Sequence, residues 1–95
     1  MTIYDQIAEK IIKEQALLMG PVAWDQASQV TGLHIIDRKK GVVSIEDGND
    51  GGLVIDNLVD RFGNLFGRAG REVCKQAVSA LVADLQATQV PVSLK

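Results

Sequence analysis

From Leu53 to Leu85 apolar residues recur at the spacing of a helix face, and a glycine-bearing tetrapeptide cuts that run in two. Ile55, Leu58, Val59, Phe62, Leu65 and Phe66 make the first stripe. Val73, Cys74, Ala77, Val78, Leu81, Val82 and Leu85 make the second. Residues three and four apart share one side of a helix, so each stripe needs a wall to cover it. Gly67-Arg68-Ala69-Gly70 lies between them and predicts a turn joining a third helix to a fourth.

The N-terminal third follows the same logic. Ile3, Ile7, Ile11 and Leu18 fall on one face, with Tyr4, Ala8, Ile12 and Met19 beside them and Glu9, Lys10, Lys13 and Glu14 opposite. Thr2 is placed to cap this helix, and Asp5 sits in its first turn, where the helix dipole favours an acid. Gly20-Pro21 ends it, since glycine suits a helix end and proline the first turn of the next. A second, shorter helix is expected from Pro21 to about Val30. Two β-branched runs, Leu33 to Asp37 and Val42 to Glu46, flank Arg38-Lys39-Lys40-Gly41 and read as a hairpin. The loop after it is expected to cap the third helix through Asn49 or Asp50.

The segment Leu18–Val30 also echoes Leu65–Ala77, with Leu, Gly and Gln matching in register, as either a duplicated helix–Gly–helix unit or chance similarity between amphipathic helices would give. The predicted fold class is therefore mainly α (α+β): about four helices in two helix-turn-helix pairs with a small β-hairpin between them. The organisation is one domain over 1–88, the hairpin near 33–46, and a C-terminal tail over 89–95. Candidate core residues are Ile7, Ile11, Leu18, Leu58, Phe62, Leu65, Val73, Ala77, Val78 and Leu81. A chain of 95 residues buries roughly 60–65% of its unfolded surface, which supports one core.

Charge narrows the partners. Ten Lys and Arg stand against twelve Asp and Glu, a formal net charge of −2, which argues against a sequence built mainly to hold nucleic acid or an anionic membrane. Charged residues interrupt the N-terminal helix, and no run of about 20 apolar residues occurs, so no leader or membrane span is expected. With Cys74 as the single cysteine, a reducing, cytoplasmic setting is expected.

Candidate chemistry is sparse. One histidine, His34, and one cysteine give too few ligands at short spacing for a zinc site, and no metal or cofactor is expected. A Cys74–His34 catalytic pair needs the fold to bring the two together, whereas Cys74 lies within an apolar stripe. Counting an EF-hand from Asp47 puts Gly51 at the fifth position and Leu58 at the twelfth, so two ligands are missing. Asp56, Asp60, Arg61 and Arg68 are the polar groups that an active site would have to gather.

Arg61, Arg68, Arg71 and Lys75 are spaced by seven, three and four residues, as a shared cationic face would be. Such a face suits phosphate, nucleic acid or an acidic partner; an ordinary solvated face, diluted by Asp60 and Glu72, is the simpler account. A helix-turn-helix around Gly67–Lys75, with Arg71 and Lys75 near the start of its second helix, is the nucleic-acid alternative. Trp24 suits either an interface anchor or the anchor of a small core, and Phe66 ends its stripe beside a glycine.

Leu18-Met19-Gly20-Pro21-Val22-Ala23 resembles the Leu-x-Gly-Pro-apolar-Ala signature of a small helical domain attached to bacterial signalling proteins, including kinases. The likeness covers the second helix and its approach; the predicted hairpin departs from that pattern. It implies a regulatory docking module. Together these features lead to the expectation of a non-enzymatic regulatory or adaptor protein that binds a protein partner, or itself as a homodimer, through an amphipathic helical face. The interaction candidates are Trp24, Arg61, Phe66, Arg68, Arg71 and Lys75.

Overall fold

A computed structural model describes residues 3–46, 48, 50–83, 85, 86 and 90–94, with the backbone alone at Val92. Thr2, the expected first cap, and Asn49 lie outside the described residues. Helix α1 spans Ile3–Met19 and α2 spans Val22–Ala27. Strands β1 (Leu33–Asp37) and β2 (Val42–Ile45) pair antiparallel, and α3 runs Gly51–Val82. A 3-10 turn follows at Val92–Leu94.

Among the described residues three α-helices are present rather than about four. The two C-terminal stripes belong to one 32-residue element because only Gly67, at φ 60° and ψ −139°, leaves helical torsions. That one residue nevertheless reverses the chain. A Cβ on Gly70 would stand 2.8 Å from the Phe62 carbonyl oxygen, whereas eight residues of straight helix span about 12 Å. The two arms of α3 are therefore folded against each other. At the head of α3, Asp50 Oδ1 accepts from the Gly52 and Leu53 amides at 2.9 and 3.3 Å, the cap expected there.

Both arms lie along α1. Gly51 abuts the Tyr4 ring near the start of α1. On the return arm, Gln15 Nε2 donates to the Gly70 carbonyl at 3.0 Å and to Cys74 Sγ at 3.4 Å. The first arm thus runs parallel to α1 and the second antiparallel, so the Gly67 kink sits beyond the C-terminal end of α1. Between them Ile7, Ile11, Ile12, Ile55, Leu58, Val59, Phe62 and Val78 are buried. Each such side chain stabilises the fold by roughly 1.5–3 kcal/mol.

The hairpin docks edge-on. Glu9 Oε1 accepts from the Val43 amide at 3.1 Å, and Asp5 Oδ1 accepts from the Ile45 amide at 2.9 Å. The match is one of pitch: four helix residues rise about 6 Å, and two strand residues about 6.8 Å. The register slips between Ile35 and Asp37, which leaves Ile36 as a bulge.

Three expected core residues are not in the core: Val73 is only half-buried and lines a surface hollow, and two leucines are exposed. Leu18 is 66% exposed and Leu65 is 47% exposed. Each lies seven residues past a fully buried one (Ile11 and Leu58), on the correct face but at the end of the molecule, where the opposing wall stops. At the other end of the chain, the expected tail includes a docked turn. Asp56 Oδ1 accepts from the Ser93 amide at 3.0 Å and from its hydroxyl at 2.6 Å, and Leu94 is buried.

Candidate functional site

The Gly20 corner follows Gln15 by five residues and the Gly67 kink precedes Gly70 by three, so the Gln15–Gly70 hydrogen bond puts both towards one end of the helices. Leu17, Leu18, Val22, Leu65 and Phe66 flank the two corners in sequence and are all exposed. They are five of the seven exposed large hydrophobic residues among those described; Ile36 and Leu53 are the others. Single exposed leucines are ordinary, whereas contiguous apolar patches are the surfaces that interfaces use.

Residues flanking these corners line two hollows. One, of about 410 Å³, lies between α1 and the second arm of α3, with Leu17, Leu18, Val73 and Ala77 as its apolar wall. Lys10 and Glu14, paired at 3.2 Å, also line it. The second, of about 210 Å³, is lined by Gln26, Arg61, Asn64 and Leu65. It is the more polar of the two.

The six residues singled out from the sequence fare differently. Phe66 is half-exposed in the apolar cluster. Trp24 is 9% exposed, so its ring anchors the core and is not presented to a partner. Arg61 donates through Nε to Gln26 Oε1 at 3.0 Å and through Nη2 to Gln29 Oε1. Arg71 crosses Gly63 and donates to Asp60 at 3.0 Å, which ties the two arms of α3 together. Arg61 and Arg71 therefore engage different partners, on α2 and the turn after it and on α3. Arg68 is exposed and Lys75 half-buried, and neither is ion-paired among the described residues.

The polar groups considered for catalysis do not converge. Asp56 holds Ser93, Asp60 holds Arg71, and Arg61 holds α2. His34 is exposed on β1, 3.4 Å from Glu46, while Cys74 is fully buried in the helical core, so the two form no pair. Burial pushes the Cys74 thiol above its ordinary value, opposed by the Gln15 hydrogen bond and by the Arg71 charge. Among the described residues no group of three or more His, Cys, Asp and Glu is placed to hold a metal. Nor is any helix among them long and apolar enough to cross a membrane.

Gln15 escaped the sequence reading. It is fully buried inside an apolar stripe, with its Nε2 used and its Oε1 without a hydrogen-bond partner among the described residues. Only the nearness of Gly70, 55 residues away, explains it, and no local pattern signals that contact. Compared with family models, curated proteins and solved structures, the chain matches none of them.

Proposed function

We propose that this chain is a non-enzymatic regulatory or adaptor module that binds a protein partner, or a second copy of itself, through the apolar end formed by the Gly20 corner and the Gly67 kink. The observation that carries this is the exposure of Leu17, Leu18, Val22, Leu65 and Phe66, all within three residues of Gly20 or Gly67. Interface centres are apolar and sit inside a polar rim, and here Lys10, Glu14, Arg61 and Arg68 supply the rim. A cytoplasmic signalling role is part of the proposal. It draws on the single cysteine and on the resemblance at Leu18–Ala23. The nucleic-acid alternative has less in its favour, since Arg71 is already paired with Asp60.

The test separates this end from the rest of the surface. Leu18→Ser with Phe66→Ser should abolish assembly, read by sedimentation for self-association and by capture for a partner. Ile36→Ser, an exposed apolar residue on the hairpin, should leave assembly intact. Circular dichroism should be unchanged in both. Equal behaviour of the two variants would sink the proposal.

A further inference from the structure

We infer that the segment docked on this end is an acidic one, whose carboxylate enters the hollow beside Arg61 while a neighbouring apolar side chain lies on Leu65 and Phe66; this rests on the protein-binding reading above. The argument begins with how Arg61 is held. Gln26 and Gln29 take two of its five N–H donors through neutral amide oxygens. No carboxylate among the described residues pairs with it, whereas Arg38 has Asp25 and Arg71 has Asp60. Its charge is fixed in position, and no carboxylate among the described residues neutralises it.

A guanidinium so held has already lost much of its rotamer freedom, so less remains to be lost when a ligand arrives. Its remaining donors form a fork suited to a carboxylate. The hollow of about 210 Å³ has Asn64 as a further amide on its wall and Leu65 on its apolar side. Leu65 belongs both to this hollow and to the exposed cluster. An acid next to an apolar residue therefore matches charge to charge and grease to grease.

A second copy fits less well. Around this end Asp25, Asp60 and Glu14 are each taken up by an ion pair within the chain. Glu72 is exposed one turn past Arg68 and makes no ion pair among the described residues. An isologous contact would set the same patch against itself and bring a second Arg61 and Arg68 to it along with Glu72.

Random 12-residue peptides displayed on phage and selected on the full chain supply the probe. The enriched sequences should pair Asp or Glu with a bulky apolar residue. In fluorescence anisotropy, Arg61→Gln should weaken the best peptide by roughly 10- to 100-fold, as should Asp→Asn or Glu→Gln in the peptide. Arg61→Lys, which keeps the charge and loses the fork, should fall between, with melting curves checking the fold of each variant. Dependence on Phe66 without dependence on Arg61 would overturn this inference and leave the docking surface standing. Failure to enrich any peptide that depends on either residue would remove both. Two other results would overturn the acidic partner: a 20-nucleotide single strand bound through Arg61, which assigns the hollow to phosphate, or a dimer that the peptide dissociates and Arg61→Gln disrupts, which assigns the end to a second copy.

Discussion

The Gly20 and Gly67 corners are built from matching parts and do different work. Each is a helix, a glycine at positive φ and another helical stretch, and each has an exposed leucine two residues before the glycine. At Gly20 the helix stops: the Gly20 amide donates to Ala16 at 2.8 Å, and Pro21 has no amide with which to continue. At Gly67 the helix resumes at once and doubles back on itself. Three residues past each glycine the echo pairs Ala23 with Gly70. Ala23 is buried with its methyl accommodated, whereas a methyl at Gly70 would meet backbone. A positive-φ glycine sets the turn, and the size of the residue one turn later sets how closely the arms approach.

The sharpest way to break this comparison is at those paired positions. Gly70→Val should cost about 3 kcal/mol by forcing the arms of α3 apart, measured as a lowered urea midpoint. Ala23→Gly should cost about 1 kcal/mol, mainly through helix propensity. The glycines themselves come next. Nothing crowds either one, so their cost is conformational. Gly67→Ala and Gly67→Asn should each cost about 2 kcal/mol, because φ 60° with ψ −139° is open essentially to glycine alone. Gly20→Asn should lose under about 1 kcal/mol, since asparagine tolerates a positive-φ helix end.

The return arm should also be sensitive to alkali. Cys74 holds its proton more tightly folded than unfolded, so stability is full below the unfolded thiol pKa and declines as pH rises past it towards the folded one. Cys74→Ala should remove that slope from urea titrations between pH 8 and 10 (about the range in which free thiols ionise). Reaction of Cys74 with iodoacetamide at neutral pH should proceed only as fast as the helices open. The smallest effect on stability is expected at the two echoing leucines: Leu18→Ser and Leu65→Ser should each change it by less than about 0.5 kcal/mol. A loss above about 2 kcal/mol at either would return that leucine to the core and remove it from the docking surface.

Much of this architecture is legible in the residues alone. The stripes of Ile7 and Ile11 and of Leu58 and Phe62, the hairpin limits and the Asp50 cap all follow from spacing within a few residues. What escapes is whatever depends on where elements end in space. Periodicity puts Leu18 and Leu65 on the correct face but says nothing of how far the opposite wall extends. Gln15, Asp5 and Glu9 read as ordinary helix residues, because their partners lie 34 to 59 residues away. The candidate site is the least legible part, since the exposure of Leu18 and Leu65 depends on where the helices end against one another.

Asp5 and Glu9 carry one more consequence. A two-stranded sheet displays its outer amides to any other chain with a strand to add, and such growth is how exposed edges seed fibrils. On β2 the amides of Val43 and Ile45 are already occupied by carboxylates. These acceptors come from a helix, so they terminate the sheet without offering a new edge in its place. The β-branched run of the chain is thereby closed to recruitment on that side by two acids one helical turn apart.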